Sequence, residues 1–328
     1  MKERILLPDI ARSICVLEIV AFWHIFDYCV PIDWKYDCEF LTKGALACFT
    51  FLSGLFCGKK EMNFKTFYLS RMKRFLPLLA IALVSFRLLH MTSLKSAALA
   101  IVGLSCFTPW QPLTLWYFAM IILFYWLTPV LLYAKSGKCQ RSVFLYRALL
   151  CFLLFIILDI LLPMDSRIIV YFPYYIGGVL VPIEMLKKIQ KNIIPMIIVG
   201  VILLLVYKFI SFALVKDLIS AFGCMLLILS VSSILEKWGG KSIRIVAKYL
   251  SYTSMAAYLF HRIIYLLVKR VCHEEYLNTF QILFMIIILL VVSYFIQKSY
   301  DRFCDFCENR LCKLNQKNKD KHEFKKGF

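Results

Sequence analysis

The sequence predicts an all-α membrane protein, a polytopic bundle of about ten transmembrane helices with both ends in the cytoplasm. Hydrophobic residues make up 61% of the 328 residues, and charged residues make up only 18%. Soluble domains contain roughly 45–50% apolar and about 25% charged residues. Apolar runs near the length of about 20 residues that spans a hydrocarbon core also recur along the whole chain, which leaves no room for a soluble catalytic domain.

The apolar runs place the membrane spans. The predicted ranges are 9–29, 43–58, 74–89, 114–133, 148–162, 168–183, 193–208, 217–235, 250–268 and 279–297. Arg12, Glu18 and the Trp23-His24 pair interrupt the first run, so it is predicted to be a retained helix and not a cleavable signal peptide. The stretch 97–107 is apolar but too short to cross, which favours an interfacial or re-entrant segment.

The distribution of Lys and Arg predicts the orientation, because these residues concentrate in cytoplasmic segments. With the N-terminus inside, five later inside segments carry more Lys and Arg than their outside neighbours: 59–74, 134–147, 184–192, 236–249 and 298–328. This bias, with a basic tail that can lie against anionic lipid, accounts for the net charge of +19. A nucleic-acid partner is therefore not expected. Residues 1–310 are predicted to form one membrane domain, and 311–328 a basic, poorly ordered cytoplasmic tail.

The cysteines do not predict a metal site. Cys304, Cys307 and Cys312 form a C-x2-C-x4-C run, but a zinc site needs a fourth ligand and none stands at finger-like spacing. Cys29 and Cys38 both fall outside in the predicted topology, where a disulfide between them is chemically possible.

Ionisable residues inside spans are costly, so they mark candidate functional positions. His24 lies about 18 Å along the helix axis from Arg12, in the predicted outer half of the membrane. Its imidazole can act as a general base near neutral pH, or it can simply bond a neighbouring helix. His261 and Arg262 fall near the middle of span 250–268 and are expected to face the bundle interior. Proton relay, substrate contact and structural bonding are all open for this pair.

Three further segments admit a functional and a structural interpretation. Arg71 and Arg74 are one helical turn apart, and two guanidinium forks on one face suit phosphate binding as well as ordinary anchoring at the interface. For Ser53-Gly54, close helix packing is favoured. For the aromatic residues of the fourth span, an aromatic belt at the membrane surface is favoured; these are Trp116, Tyr117, Tyr125 and Trp126.

Taken in order, five segments resemble the acyltransferase 3 family of integral-membrane O-acyltransferases over nearly the whole chain. They are PDIARSICVLEIVAFWH, CFTFLSGLF, YLSRMKRFLP, LWYFAMIILFYWLTP and YLSYTSMAAYLFH. The resemblance implies an enzyme of the cell inner membrane that transfers an acyl group, usually acetyl from acetyl-CoA as co-substrate, to a hydroxyl of a surface or lipid-linked glycan. It implies no bound cofactor.

The resemblance also implies roles for individual residues. His24 matches the catalytic histidine, as general base or transient acyl carrier, and three arginines match positions tied to activity and donor binding: Arg12, Arg71 and Arg74. A substrate pocket is expected to include Ser53, Trp116, Tyr125 and His261. A lipid-linked sugar transporter or flippase is the alternative function, since it too would need buried histidine and arginine.

The chain departs from the family pattern in three places. Arg12 and His24 are twelve positions apart, where eleven is common, so an ideal α-helix would turn them about 120° apart instead of about 20°. A π-bulge would absorb the extra residue; otherwise Arg12 is not the equivalent arginine. Ile121 stands where many members have Glu, and the last span reads IQKSYDRF in place of a Glu-x-Pro ending.

Overall fold

The computed structural model describes residues 5–28, 37–57, 64–133, 140–273 and 276–326, with side chains given up to 307 and omitted at position 189. Of the described chain, 87% is helix and no part is strand. Cys29 and the side chain of Cys312 lie outside this part, so the expectations that involve them stay predictions.

Twelve helices follow one another in the described residues. Those before the chain midpoint are α1 (Leu7–Leu17), α2 (Glu39–Leu55), α3 (Phe64–Leu88), α4 (Leu94–Ile101), α5 (Trp116–Leu132) and α6 (Arg141–Leu161). Those after it are α7 (Arg167–Leu180), α8 (Leu186–Ile189), α9 (Ile193–Val206), α10 (Ala213–Trp238), α11 (Gly240–Cys272) and α12 (Thr279–Lys326). A π-helical segment, Glu18–Trp23, and a 3-10 segment, His24–Tyr28, continue α1. Every predicted span has a helix in its described part.

Four helical stretches of the described residues are long and apolar enough to cross a membrane: Leu113–Leu132, Arg141–Leu161, Ala213–Trp238 and Thr279–Cys307. Two shorter apolar helices are Arg167–Leu180 and Ile193–Phe209. The helices in the remaining predicted spans are too short or carry too much charge to meet this description. The α-helix α1, for example, ends at Leu17, where the π-helical segment begins. A helical membrane protein follows from this; the number of crossings and the side that each end faces stay predictions.

Burial separates the central helix from the lipid-facing ones. The apolar window of Leu113–Leu132 is 72% buried inside the protein, whereas those of Arg141–Leu161 and Thr279–Cys307 are only 17% buried. A helix that is apolar on all sides yet mostly covered by protein belongs to the core of the bundle. Around this core, α1 packs against α2, α10 and α11, and α2 packs against α7 and α10.

Glycines let α2 and α7 cross at very short distance. A Cβ added at Gly54 would lie 2.1 Å from the carbonyl oxygen of Tyr175, and one added at Gly178 would lie 2.0 Å from that of Phe51. Such distances are far below van der Waals contact, so both positions need glycine. The packing interpretation of the Ser53-Gly54 pair is confirmed.

The segments that the predicted topology puts on one side of the membrane contact one another. The Leu6 amide donates to Glu236 at 2.6 Å, and the Gln190 amide donates to the same carboxylate at 2.5 Å. At the other end of the bundle, Lys43 pairs with Asp217 at 2.6 Å. The two ends of α10, at Asp217 and Glu236, thus contact different segments, and the alternation of the loops across the membrane stays a prediction.

Two regions show how far the sequence predicted local structure. The stretch 97–107 forms α4 and a 3-10 turn, Leu104–Phe107, packed against α3 and α5, and is too short to span, as predicted. Residues 311–326, predicted to be poorly ordered, continue α12 as helix. The reason is that the tail has many good helix formers, such as Lys, Gln and Glu, and no Gly or Pro before Gly327.

Candidate active site

The first helix changes geometry between Arg12 and His24. From Glu18 to Trp23 it is π-helical, and the His24 amide bonds the carbonyl of Ile19, five positions back. A π-bulge inserts one residue without changing the face that the flanking residues present. The π-bulge predicted as one of two alternatives is therefore confirmed, and Arg12 and His24 come back toward one face of the segment, about 20° apart in the α-helical frame.

His24 and His261 form a buried pair. Nδ1 of His24 lies 3.0 Å from Nε2 of His261, and the rings stack with centroids 4.7 Å apart and planes inclined by 24°. His261 is fully buried and His24 is 8% exposed. His261 therefore faces the bundle interior, as the sequence predicts.

Hydrogen bonds fix the tautomers of the neutral pair. Nδ1 of His261 lies 2.7 Å from the carbonyl oxygen of Tyr258. A carbonyl only accepts, so this nitrogen carries the proton, and Nε2 of the neutral His261 ring holds its lone pair. Nδ1 of His24 must then donate to that lone pair. Because these two hydrogen bonds require a proton on Nδ1 of His24, the basic lone pair of His24 is on Nε2.

Aromatic residues connect the histidine pair to the arginine end of the site. The ring of Tyr258 lies 5.5 Å from that of Tyr117 and 5.9 Å from that of His261. The Tyr117 hydroxyl lies 3.3 Å from that of Thr50. Arg12 lies within electrostatic range of Tyr117. A row of ring contacts thus runs from Tyr117 through Tyr258 to His261 and His24, and Arg12 lies within electrostatic range of the Tyr117 end.

Three arginines converge at the other end of this chain. The Arg12 guanidinium lies 4.9 Å from the ring centre of Phe56, and Arg71 donates to the Phe56 carbonyl. Arg71 also lies 5.8 Å from the ring centre of Tyr125. Arg74 is exposed and within electrostatic range of Arg12. The structure therefore brings together the predicted donor-binding arginines, from α1 and α3. A cluster of like charges of this kind suits an anion.

The predicted pocket residues separate into two groups. Ser53 and Tyr125 lie next to each other, and Tyr125 is 7% exposed, close to the arginine cluster. Trp116 lies toward the opposite end, 3.6 Å under the guanidinium of Arg167 and stacked with Tyr171 at 6.2 Å. The Trp116 side chain is only 8% exposed, and His261 is part of the histidine pair.

The aromatic-belt interpretation is wrong for three of its four residues. Trp116, Tyr117 and Tyr125 are buried, because α5 is the central helix and its surroundings are protein and not lipid. Trp126 is 47% exposed, which suits a position at the membrane surface.

Comparison with known proteins gives the family. A family model described as an acyltransferase domain, the acyltransferase 3 family, matches residues 6–298. The chain belongs to this family. The resemblance drawn from the five motifs is confirmed, and the chain is a membrane acyltransferase in general terms. Neither the curated proteins nor the solved structures include a match.

The acyltransferase has polar contacts outside this site. Arg262 pairs with Asp27 at 3.0 Å, and Glu18 accepts a hydrogen bond from Thr42 at 2.7 Å. A cavity of about 490 Å³ lies around Lys43 and Asp217 and contains none of the predicted site residues. Within the described residues, no group of three or more His, Cys, Asp or Glu side chains could hold a metal ion.

Sequence reasoning missed part of the site. Tyr258 and Tyr265, both on α11, contact the ring of His261 but were given no role from the sequence, although Tyr258 lies within the quoted segment YLSYTSMAAYLFH. A usable signal is their spacing from His261, three positions before and four after. These positions share a helix face with it.

Proposed function

We propose that this acyltransferase moves an acyl group, most simply acetyl, from an acyl-CoA onto a hydroxyl of a cell-surface or lipid-linked glycan in the cell inner membrane. The observation that carries the proposal is the buried row of rings from Tyr117 to the histidine pair, with Arg12 of the arginine cluster within electrostatic range of Tyr117. An anion site and a base on one interior face are what transfer from a phosphate-bearing thioester to a hydroxyl requires.

The arginine cluster is the proposed donor site. Coenzyme A is polyanionic, and Arg71 and Arg74 offer two guanidinium forks one turn apart on α3, at the end that the predicted topology places in the cytoplasm. Arg12 of α1, which is within electrostatic range of Arg74, is proposed to line the route inward. In this arrangement the phosphates stay at the cytoplasmic end while the thioester arm extends past Tyr125 into the bundle.

The histidine pair is the proposed proton acceptor. The Nε2 lone pair of His24 takes the proton from the acceptor hydroxyl as the oxygen attacks the thioester carbonyl carbon. A C–O bond forms and the C–S bond breaks. The departing thiolate then takes the proton from the His24 imidazolium, which gives the acyl ester and free coenzyme A. No other reactant is required.

His261 is proposed to hold the orientation and tautomer of His24. Its Nε2 accepts from Nδ1 of His24, as a carboxylate does for the base of a catalytic triad, and strengthens that bond when His24 becomes charged. In an alternative route, the Nε2 lone pair of His24 carries the acyl group as a transient acyl-imidazole. Rapid acid quench after mixing with radiolabelled acetyl-CoA distinguishes the two routes, since only the second leaves label on the protein.

The decisive experiment supplies radiolabelled acetyl-CoA to membranes containing the wild type, His24→Ala or Arg71→Ala, and follows label into glycan and glycolipid. We expect wild-type labelling, near-complete loss with His24→Ala, and recovery of part of the Arg71→Ala activity at high donor concentration. Equal labelling by wild type and His24→Ala would overturn the mechanism. No labelling with any suitable acceptor would favour the transporter or flippase alternative.

A further inference from the structure

Tyr265 of α11 bonds the unusual segment of the first helix directly. Its side chain is fully buried, and its hydroxyl donates to the carbonyl oxygen of Val20 at 2.7 Å. Val20 lies in the middle of the π-helical segment, four positions before His24. A tyrosine from another helix therefore contacts the first helix where its geometry departs from α.

A change of helix type weakens the backbone pairing of a segment. In a π-helix an amide bonds the carbonyl five positions back, as the His24 amide does to Ile19, whereas in a 3-10 helix an amide bonds the carbonyl three positions back. Fewer amides than carbonyls are available where the first pattern gives way to the second, so a side-chain donor stabilises such a junction inside a membrane protein. The Tyr265 hydroxyl is a donor of this kind, and it bonds the Val20 carbonyl.

The same face of α11 holds the whole arrangement. His261 and Tyr265 are four positions apart, with ring centres 5.8 Å apart, and Tyr258 is three positions before His261. Tyr258 fixes the tautomer of His261, His261 accepts from His24, and Tyr265 bonds Val20. One helical face thus contacts both His24 and the segment that turns His24 toward it.

We infer that Tyr265 is a positioning residue for His24, because its bond to the Val20 carbonyl stabilises the π-helical segment that compensates for the extra residue between Arg12 and His24. The inference rests on the proposed function. Without the Tyr265 hydroxyl the Val20 carbonyl loses this hydrogen bond, and the segment shifts toward α geometry, in which His24 turns about 100° away from the Arg12 face and from His261. Base and donor site then no longer share one face.

The first test is Tyr265→Phe, which removes only the hydroxyl. We expect kcat to fall about ten- to hundredfold, because small displacements of a reacting group cost that much. KM for the acyl-CoA should stay within about twofold, since the arginine cluster is unchanged. Tyr249→Phe is the matched control, because Tyr249 is on the same helix and donates to the carbonyl of Leu290 on α12 at 3.0 Å. It should keep wild-type kcat.

The second test removes Ala21, so that the segment regains eleven positions and no longer needs a π-bulge. We expect this shortened chain to keep measurable activity and, in contrast to the full-length chain, to lose less than about threefold in kcat on Tyr265→Phe. Equal losses in the two backgrounds would overturn the inference, because a merely structural tyrosine is needed in both. If the shortened chain does not accumulate in the membrane, the positioning role of Tyr265 is decided by the full-length variants alone. The kcat and KM of Tyr265→Phe are then compared with those of Tyr249→Phe.

The outcome is separable from that of the proposed function. Full activity of His24→Ala contradicts the proposed mechanism whatever Tyr265 does. An inactive His24→Ala together with a fully active Tyr265→Phe overturns only the positioning role. A fall in kcat that Tyr249→Phe reproduces also overturns it, since general loosening of α11 would then explain the effect.

Discussion

Nδ1 of His24 and Nε2 of His261 lie 3.0 Å apart, although 237 positions separate the two residues in the chain. The geometry of each histidine has a different local cause. His24 points inward because a π-helical segment turns it, and His261 has a defined tautomer because it bonds the Tyr258 carbonyl. The pair therefore forms between a residue of an irregular first helix and a residue of the regular helix α11.

The histidine pair predicts a strong effect of His261→Phe. Phenylalanine fills the space but cannot accept from Nδ1 of His24, so the tautomer and the charged form of His24 both lose their support. We expect kcat to fall about hundredfold or more with little change in KM for the acyl-CoA, measured by transfer of radiolabelled acetyl groups. His273→Asn is the control, because His273 is exposed at the end of α11 and Asn tolerates its positive φ of 54°. Wild-type kcat for His261→Phe would contradict a paired base.

The arginine cluster predicts an effect on donor affinity and not on chemistry. Arg74→Ala removes an exposed guanidinium within electrostatic range of Arg12, so we expect KM for the acyl-CoA to rise roughly three- to tenfold with kcat nearly unchanged. The difference from wild type should shrink at high salt, because an exposed charge is screened. Arg87→Ala is the control: Arg87 is also exposed on α3, at its opposite end. Equal effects of the two substitutions would mean that general surface charge, and not a donor site, is involved.

The sequence predicted a helical membrane protein and singled out His24 and His261, which the structure pairs, because apolar runs and costly buried ionisable groups are visible in a single chain. It could not choose between a π-bulge and a displaced Arg12, since the bulge depends on a partner on another helix: the Tyr265 hydroxyl at Val20. The belt interpretation of Trp116 and Tyr125 was wrong for a related reason. Whether an aromatic ring meets lipid or protein depends on where its helix lies in the bundle.

The predicted topology can be tested directly by protease digestion of epitope tags. Lys and Arg bias places the C-terminus in the cytoplasm. We therefore expect an epitope tag fused after residue 328 to be digested by added protease in inside-out membrane vesicles and protected in right-side-out vesicles. A tag inserted after position 111, in a predicted outside segment, should show the reverse pattern. Digestion of both tags in the same vesicles would contradict an odd number of spans between the two positions.

Two adjacent glycines of α7 offer the sharpest test of the packing. A Cβ at Gly178 would lie 2.0 Å from the carbonyl oxygen of Phe51 and 2.8 Å from the amide nitrogen of Leu55, whereas a Cβ at Gly177 has nothing within 4 Å. Backbone atoms cannot move aside as a flexible side chain can. Gly178→Ala must therefore push α7 away from α2, at a cost of roughly 1–3 kcal/mol or more.

The displacement reaches the site through Tyr175, whose hydroxyl lies 2.5 Å from that of Thr128 on α5 and which donates to Cys57 at 3.4 Å. We expect Gly178→Ala to lower the thermal midpoint in detergent by several degrees and to reduce activity, while Gly177→Ala leaves both near wild type or slightly raises stability through the better helix propensity of alanine. Fluorescence-detected size-exclusion chromatography after heating measures the midpoint. Equal midpoints for the two variants would show that α2 and α7 do not cross as closely as these glycines require.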